Sequence, residues 1–132
     1  MTITLALNGK VYYKMYRLRV ETTFDAAHKL VGYPGVCAKL HGHTWKVEAF
    51  VVGEELDSVG ILVDFKVIKE RMDSIIKNLD HSFLNDCKEI GNPTSENLSR
   101  FVYGKLKELP SKVRLEKVRV WENSRSWCEY VE

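Results

Sequence analysis

Cysteine is scarce, with three residues (Cys37, Cys87 and Cys128) in 132, and none stands in a C-x-x-C pair. Three thiols cannot all pair within one chain, which argues against a disulfide framework and suits a reducing compartment. Long apolar runs are also missing. A stretch such as Ala49–Val52 is far too short to span a bilayer. Charge of one sign is not in excess: 20 basic against 18 acidic residues leave +2, dispersed along the chain. That balance gives nucleic acid no basic patch to hold. The opening Met1-Thr2-Ile3-Thr4 carries no basic region or cleavage site, so a cytoplasmic protein without a signal peptide is expected. There is no internal repeat and no low-complexity segment.

What remains is the composition of one soluble domain, 45% apolar and 29% charged. Residues 1–10 read as an N-terminal extension and 11–132 as a single domain. From Val11 to Phe24 the even positions Tyr12, Tyr16, Leu18, Val20 and Phe24 alternate with Arg17, Arg19 and Glu21, which predicts a long strand whose even phase continues to His28. A second strand is predicted from His41 to Val52, with His41, His43, Trp45, Val47, Ala49 and Val51 on one face. Asp64 is placed to cap a helix over 65–79 and Thr94 a helix ending before Pro110. Two strands close the chain, near 117–122 and 127–131. The order ββααββ predicts an α+β fold, a four-stranded antiparallel sheet with both helices on one face.

The four histidines carry the chemistry. His41-Gly42-His43 puts two imidazoles on one side of a strand, with Cα atoms roughly 6.5–7 Å apart, close enough to share an ion. His28, on the inward phase of the neighbouring strand, is positioned to be the third ligand. An isolated H-x-H is more often a pair of satisfied histidines, but two unpartnered imidazoles in line with Trp45 and Val47 are costly to bury, and a shared metal removes that cost. Three histidines leave a fourth position open, as in catalytic zinc. Gly42 suits a bend or a close ligand approach.

Other groups stay open at this level. Cys37, four residues before His41, reads equally as a base or nucleophile, a fourth ligand, or a small buried residue. Asp80-His81 is either a carboxylate-oriented base or a helix-end loop. Glu122 continues the inward phase of Val118 and Val120, so it needs a partner: the N–H pair of a guanine-like or pterin edge, or a Lys or Arg.

Six segments in order resemble the family of 6-carboxytetrahydropterin and 6-pyruvoyltetrahydropterin synthases. They are Phe24-Asp25-Ala26-Ala27-His28, Cys37-Ala38-Lys39-Leu40-His41-Gly42-His43, Val63-Asp64-Phe65, Leu79-Asp80-His81-Ser82-Phe83-Leu84-Asn85, Pro93-Thr94-Ser95-Glu96-Asn97, and Glu122. The resemblance implies the tunnelling fold (T-fold), assembled as a homohexamer of two stacked trimers with active sites between subunits. It implies zinc on His28, His41 and His43, Cys37 as general base, Asp80 and His81 as the second proton-transfer pair, and Glu122 as the pterin anchor. Thr94, at a helix start whose N–H groups can face an anion, and Lys29, beside His28, are further substrate-binding candidates.

The implied substrate is 7,8-dihydroneopterin triphosphate. Only three residues separate Cys37 from His41, a short spacing that resembles the carboxy branch. That branch releases acetaldehyde and triphosphate and feeds 7-deazaguanine (queuosine-type) synthesis. The alternatives are the pyruvoyl branch, which loses triphosphate only, and a non-catalytic zinc- or pterin-binding protein on the same fold. Two departures stand out: Asn123 where the family often has Thr, and bulky Trp121 where small or branched residues are usual.

Overall fold

A computed structural model describes residues 3–7 and 10–132, the side chains of 3–13 and of Cys37 excepted. Strands β1 (Ile3–Leu7) and β2 (Lys10–Tyr13) pair as a separate two-stranded sheet. Then come β3 (Tyr16–His28), β4 (His41–Gly53), helix α1 (Phe65–Ile76), β5 (Ser82–Phe83), α2 (Ser95–Leu106), β6 (Val113–Asn123) and β7 (Ser126–Val131). The main sheet runs β5-β3-β4-β6-β7, antiparallel throughout except for β5, which lies parallel to β3.

The sheet therefore has five strands and is mixed, where four antiparallel strands were expected. The added strand is two residues long, too short for any alternation to announce it. The strand expected to start at Val11 is also cut, and β3 begins at Tyr16. Its partner β4 ends at Gly53, opposite Tyr16, so residues before 16 find no ladder there and pair with β1 instead. Of the expected extension, residues 1, 2, 8 and 9 lie outside the described residues.

Both helices start as the sequence predicts. The Asp64 carboxylate accepts from the Lys66 N–H (2.9 Å), and the Thr94 hydroxyl from the Asn97 N–H (3.1 Å). Each helix turns its apolar stripe onto one face of the sheet, Ile68 and Met72 from α1, Leu98, Val102 and Leu106 from α2. They bury Val20, Phe24, Trp45, Val47, Ala49, Val118 and Val120 beneath them. Among the described residues no helix is long and apolar enough to cross a membrane.

The other face of the sheet carries charge. Glu48 is 2% exposed there. Its carboxylate accepts from Arg19 and from the Trp121 indole N–H, and Arg119 lies 3.8 Å away. Trp121 thus covers a buried carboxylate. Burial alone would raise the Glu48 pKa, but the Trp121 and Arg19 hydrogen bonds and the arginine charges hold it below its ordinary 4.5. Glu48→Gln removes a buried carboxylate that Arg19 and Trp121 bond, although Arg19 keeps Glu21 and Arg119 keeps Glu129, and a loss of about 2 kcal/mol at pH 7 is expected in urea unfolding. A carboxylate with a lowered folded-state pKa stabilises above the unfolded value and stops doing so as pH falls through the folded value. The gap between wild type and variant should therefore narrow below pH 4.5. A gap that stays constant from pH 7 down to pH 3.5 would refute this account.

Candidate functional site

β3 and β4 are in register across their whole length, which sets His28 opposite His41 and Ala26 opposite His43. Cross-strand partners share a face, so all three imidazoles lie on the helix-covered side at one end of the sheet. The ring centroids are 4.6 Å (His28–His41), 4.7 Å (His41–His43) and 5.1 Å (His28–His43) apart. Trp45 closes the floor, edge-on to His28 at 5.0 Å and His43 at 5.2 Å. Its indole N–H is satisfied by the Ala26 carbonyl at 3.2 Å.

Hydrogen bonds at the outer nitrogens fix how the rings present themselves. The His28 Nδ1–H donates to the Pro93 carbonyl (2.8 Å) and the His41 Nδ1–H to the Lys39 carbonyl (2.7 Å). Each assignment leaves an Nε2 lone pair facing inward, and those two nitrogens stand 3.0 Å apart. Two lone pairs at that distance repel unless a cation lies between them. The His43 Nε2 is buried with no hydrogen-bond partner, although Oε1 of Glu122 stands 3.2 Å away. The same oxygen is 3.5 Å from the His28 Nε2. One ligand atom from each of His28, His41, His43 and Glu122 falls within 4.8 Å of the other three. Burial lowers the His43 pKa, and His28 and His41 add to this against the pull of Glu122. The neutral imidazole that results is the form a metal requires. The donor set thus fits a metal ion, held by carbonyl-oriented histidines.

Of the partners open to Glu122, a Lys or Arg is not the one found. Among the described residues its ion pairs within 4 Å are to His28 and His43. Gly42 is not required for a bend: β4 passes through it without a register shift, and an added Cβ would meet only the Ala26 carbonyl, at 3.7 Å.

Asp80 and His81 form a second cluster with Asp25, at the β5 edge of the sheet. His81 adopts a left-handed backbone (φ 56°), and its N–H donates to the Asp25 carbonyl (2.6 Å). The Asp25 N–H donates in return to Asp80 Oδ1 (3.0 Å), and that oxygen lies 3.0 Å from the His81 Nδ1. These two bonds, the backbone one first, keep the Asp80 pKa below the usual carboxylate range. With Nδ1–H directed at Asp80, the His81 Nε2 is left free for a substrate, and His81 lines an exposed groove of about 530 Å³ that also touches His43. The structure brings the three histidines and Glu122 together. It does not bring Asp80 and His81 into that cluster, of which only His43 lines the groove that His81 borders.

Cys37 sits in the short turn Val36–Ala38, and its thiol lies outside the described residues. Thr94 uses its hydroxyl as a helix cap, and Lys29 is exposed beside His28. Three supports were assigned no role from the sequence. The Pro93 carbonyl aims His28. The side-chain amides of Asn85 and Asn92 grip the backbone N–H and C=O of Lys29 and Val31, at 2.9–3.1 Å, and fix the loop that leaves β3. Both asparagines lie in or beside the segments named above, and that was their one visible sign.

Residues 17–132 match the family model of 6-pyruvoyl tetrahydropterin synthase. The chain is 35% identical over 123 residues to a 6-carboxy-5,6,7,8-tetrahydropterin synthase of Synechocystis, covering 88% of this chain and 93% of that protein. It is 36% identical over 116 residues to a dihydroneopterin monophosphate aldolase of Pyrococcus furiosus, covering 86% and 95%. The fold is that of the Caenorhabditis elegans 6-pyruvoyl tetrahydropterin synthase structure, with a TM-score of 0.79 at 24% identity over 89% of this chain and 96% of that one. Sequence match, fold and a histidine cluster where the motifs placed it agree: the chain belongs to the 6-pyruvoyl tetrahydropterin synthase family.

Proposed function

We propose that this chain is a zinc-dependent lyase that converts 7,8-dihydroneopterin triphosphate and water to 6-carboxy-5,6,7,8-tetrahydropterin, acetaldehyde and triphosphate, in 7-deazaguanine synthesis in the cytoplasm. The observation that carries the reading is the convergent set of Nε2 atoms on His28, His41 and His43, two of them aimed inward by backbone carbonyls and the third buried without a hydrogen bond. Relatives such as the Synechocystis protein supply the reaction. Zinc bound by these histidines would act as a Lewis acid toward the side-chain oxygens of the substrate.

The protein's own groups do the rest. Glu122 accepts two hydrogen bonds from the N–H pair on the pterin edge and so sets the ring's position. Cys37 takes a proton from the substrate side chain. Asp80 holds the His81 tautomer, and His81 returns a proton through Nε2, so that the ring double bond moves into the side chain. Lys29 and the start of α2 at Thr94 are the candidates for the triphosphate end. By the family resemblance, residues 11–132 act as one domain of a homo-oligomer, two stacked trimers, in which a neighbour completes each site, and the separation of the Asp80–His81 pair from the histidine cluster supports that reading.

Mass spectrometry of products from the zinc-loaded protein and 7,8-dihydroneopterin triphosphate tests this. A carboxytetrahydropterin together with acetaldehyde is expected. A pyruvoyl product would keep the site and overturn the branch. Cleavage of dihydroneopterin monophosphate, with the triphosphate left intact, would move the chain to the reaction named for its Pyrococcus furiosus relative.

A further inference from the structure

Four ligands arranged tetrahedrally at the usual zinc distances of about 2.0–2.1 Å stand about 3.3–3.4 Å from one another. The separations here bracket that value: 3.0 Å between the Nε2 atoms of His28 and His41, 3.2 Å from His43 Nε2 to Glu122 Oε1, and 3.5 Å from His28 Nε2 to the same oxygen. The His43 nitrogen is buried and lacks a hydrogen bond even with a carboxylate oxygen this close, so the two atoms are neighbours without being bonded, as two ligands of one ion are. Glu122 closes the fourth side of the cluster. Nothing competes for it, since among the described residues its ion pairs are to these histidines.

The geometry points to Glu122 as a fourth zinc ligand in the resting protein, one that leaves the metal to take the pterin ring. This rests on the zinc and pterin assignments made above. The two-bond grip on a pterin edge needs both carboxylate oxygens level with the N–H pair, whereas Oε1 is here turned into the histidine cluster, so the two roles call for different orientations of the side chain. Ring binding and metal ligation are therefore alternatives for one side chain. In the resting state the carboxylate keeps water and stray anions off the fourth position. When the ring docks, the carboxylate swings to it and that position opens. Recognition at the ring thereby controls access at the side chain, and an oxygen ligand without a pterin ring meets a closed site.

Cobalt(II), substituted for zinc, reports this through its visible absorption, which depends on the identity and number of ligands. The resting spectra of wild type and Glu122→Gln are expected to differ. Adding pterin with hydrogen in place of the side chain, so that it brings no side-chain oxygen to the metal, should move the wild-type spectrum toward that of the variant. Chelator competition should find zinc held about 10-fold or more weakly by Glu122→Gln. Identical resting spectra and equal zinc affinity would overturn the ligand role. A wild-type spectrum that stays fixed while pterin saturates the protein would overturn the exchange. Failure of the underlying metal assignment looks different: His43→Ala would still bind a full equivalent of cobalt, whatever residue 122 does.

Discussion

His43→Ala is expected to leave the protein with less than about a tenth of an equivalent of zinc after gel filtration against a weak chelator. The site's apparent binding energy should resemble the roughly 10–16 kcal/mol of zinc-finger peptides, shared among four ligands. One ligand then represents about 3 kcal/mol, or roughly a hundred-fold in affinity. His43 is the informative choice because its Nε2 is the buried atom with no other use. His28 and His41 each hold a backbone carbonyl as well, so replacing them also disturbs the local chain. Turnover should fall to that of the metal-free protein, and added zinc should not restore it. Full zinc stoichiometry in His43→Ala, measured by elemental analysis, would remove this residue from the ligand set.

The second large effect concerns the proton-transfer pair. Asp80→Asn keeps an oxygen for the Asp25 N–H, so the turn that holds His81 should survive, but it withdraws the negative charge from the His81 Nδ1–H. Loss of general acid–base action costs about 10²–10⁴-fold in kcat. Zinc content and KM should change little, which separates this defect from the first. A subunit arrangement adds a sharper readout. The pair lies at the β5 edge and the histidine cluster under the helices, so each site is expected to draw them from different copies. Mixing and refolding His43→Ala with Asp80→Asn in equal amounts would then rebuild both halves at about a quarter of the sites. If the mixture stays as inactive as its components, the site is contained in one chain.

The histidine cluster was legible because strand periodicity is local: two residues apart on β4 means one face, and the inward phase of β3 placed His28 across from them. The caps at Asp64 and Thr94 were legible for the same reason. Features that depend on a distant partner were not. β5 exists because the chain leaving His81 runs beside Ala26 and Ala27, and two residues carry no pattern. β3 starts at Tyr16 because β4 ends opposite it, a fact about another strand's length. Glu48 falls on the outward phase of β4, where alternation gives no sign of burial, and only the three-dimensional approach of Arg19, Arg119 and Trp121 makes it a buried charge. Glu122 was seen to point inward, but its neighbours turned out to be two imidazoles of the histidine cluster rather than a Lys or Arg.

The bond that aims His28 ends on the main-chain oxygen of residue 93. Every amino acid has that oxygen, so no point substitution at 93 can delete it, and an alignment column there would not reveal what the position does. The vulnerability lies in length instead. An insertion or deletion between Asn85 and Ser95 would re-phase the start of α2, carry the oxygen out of reach, and free the His28 ring to turn away while every ligand residue was still present.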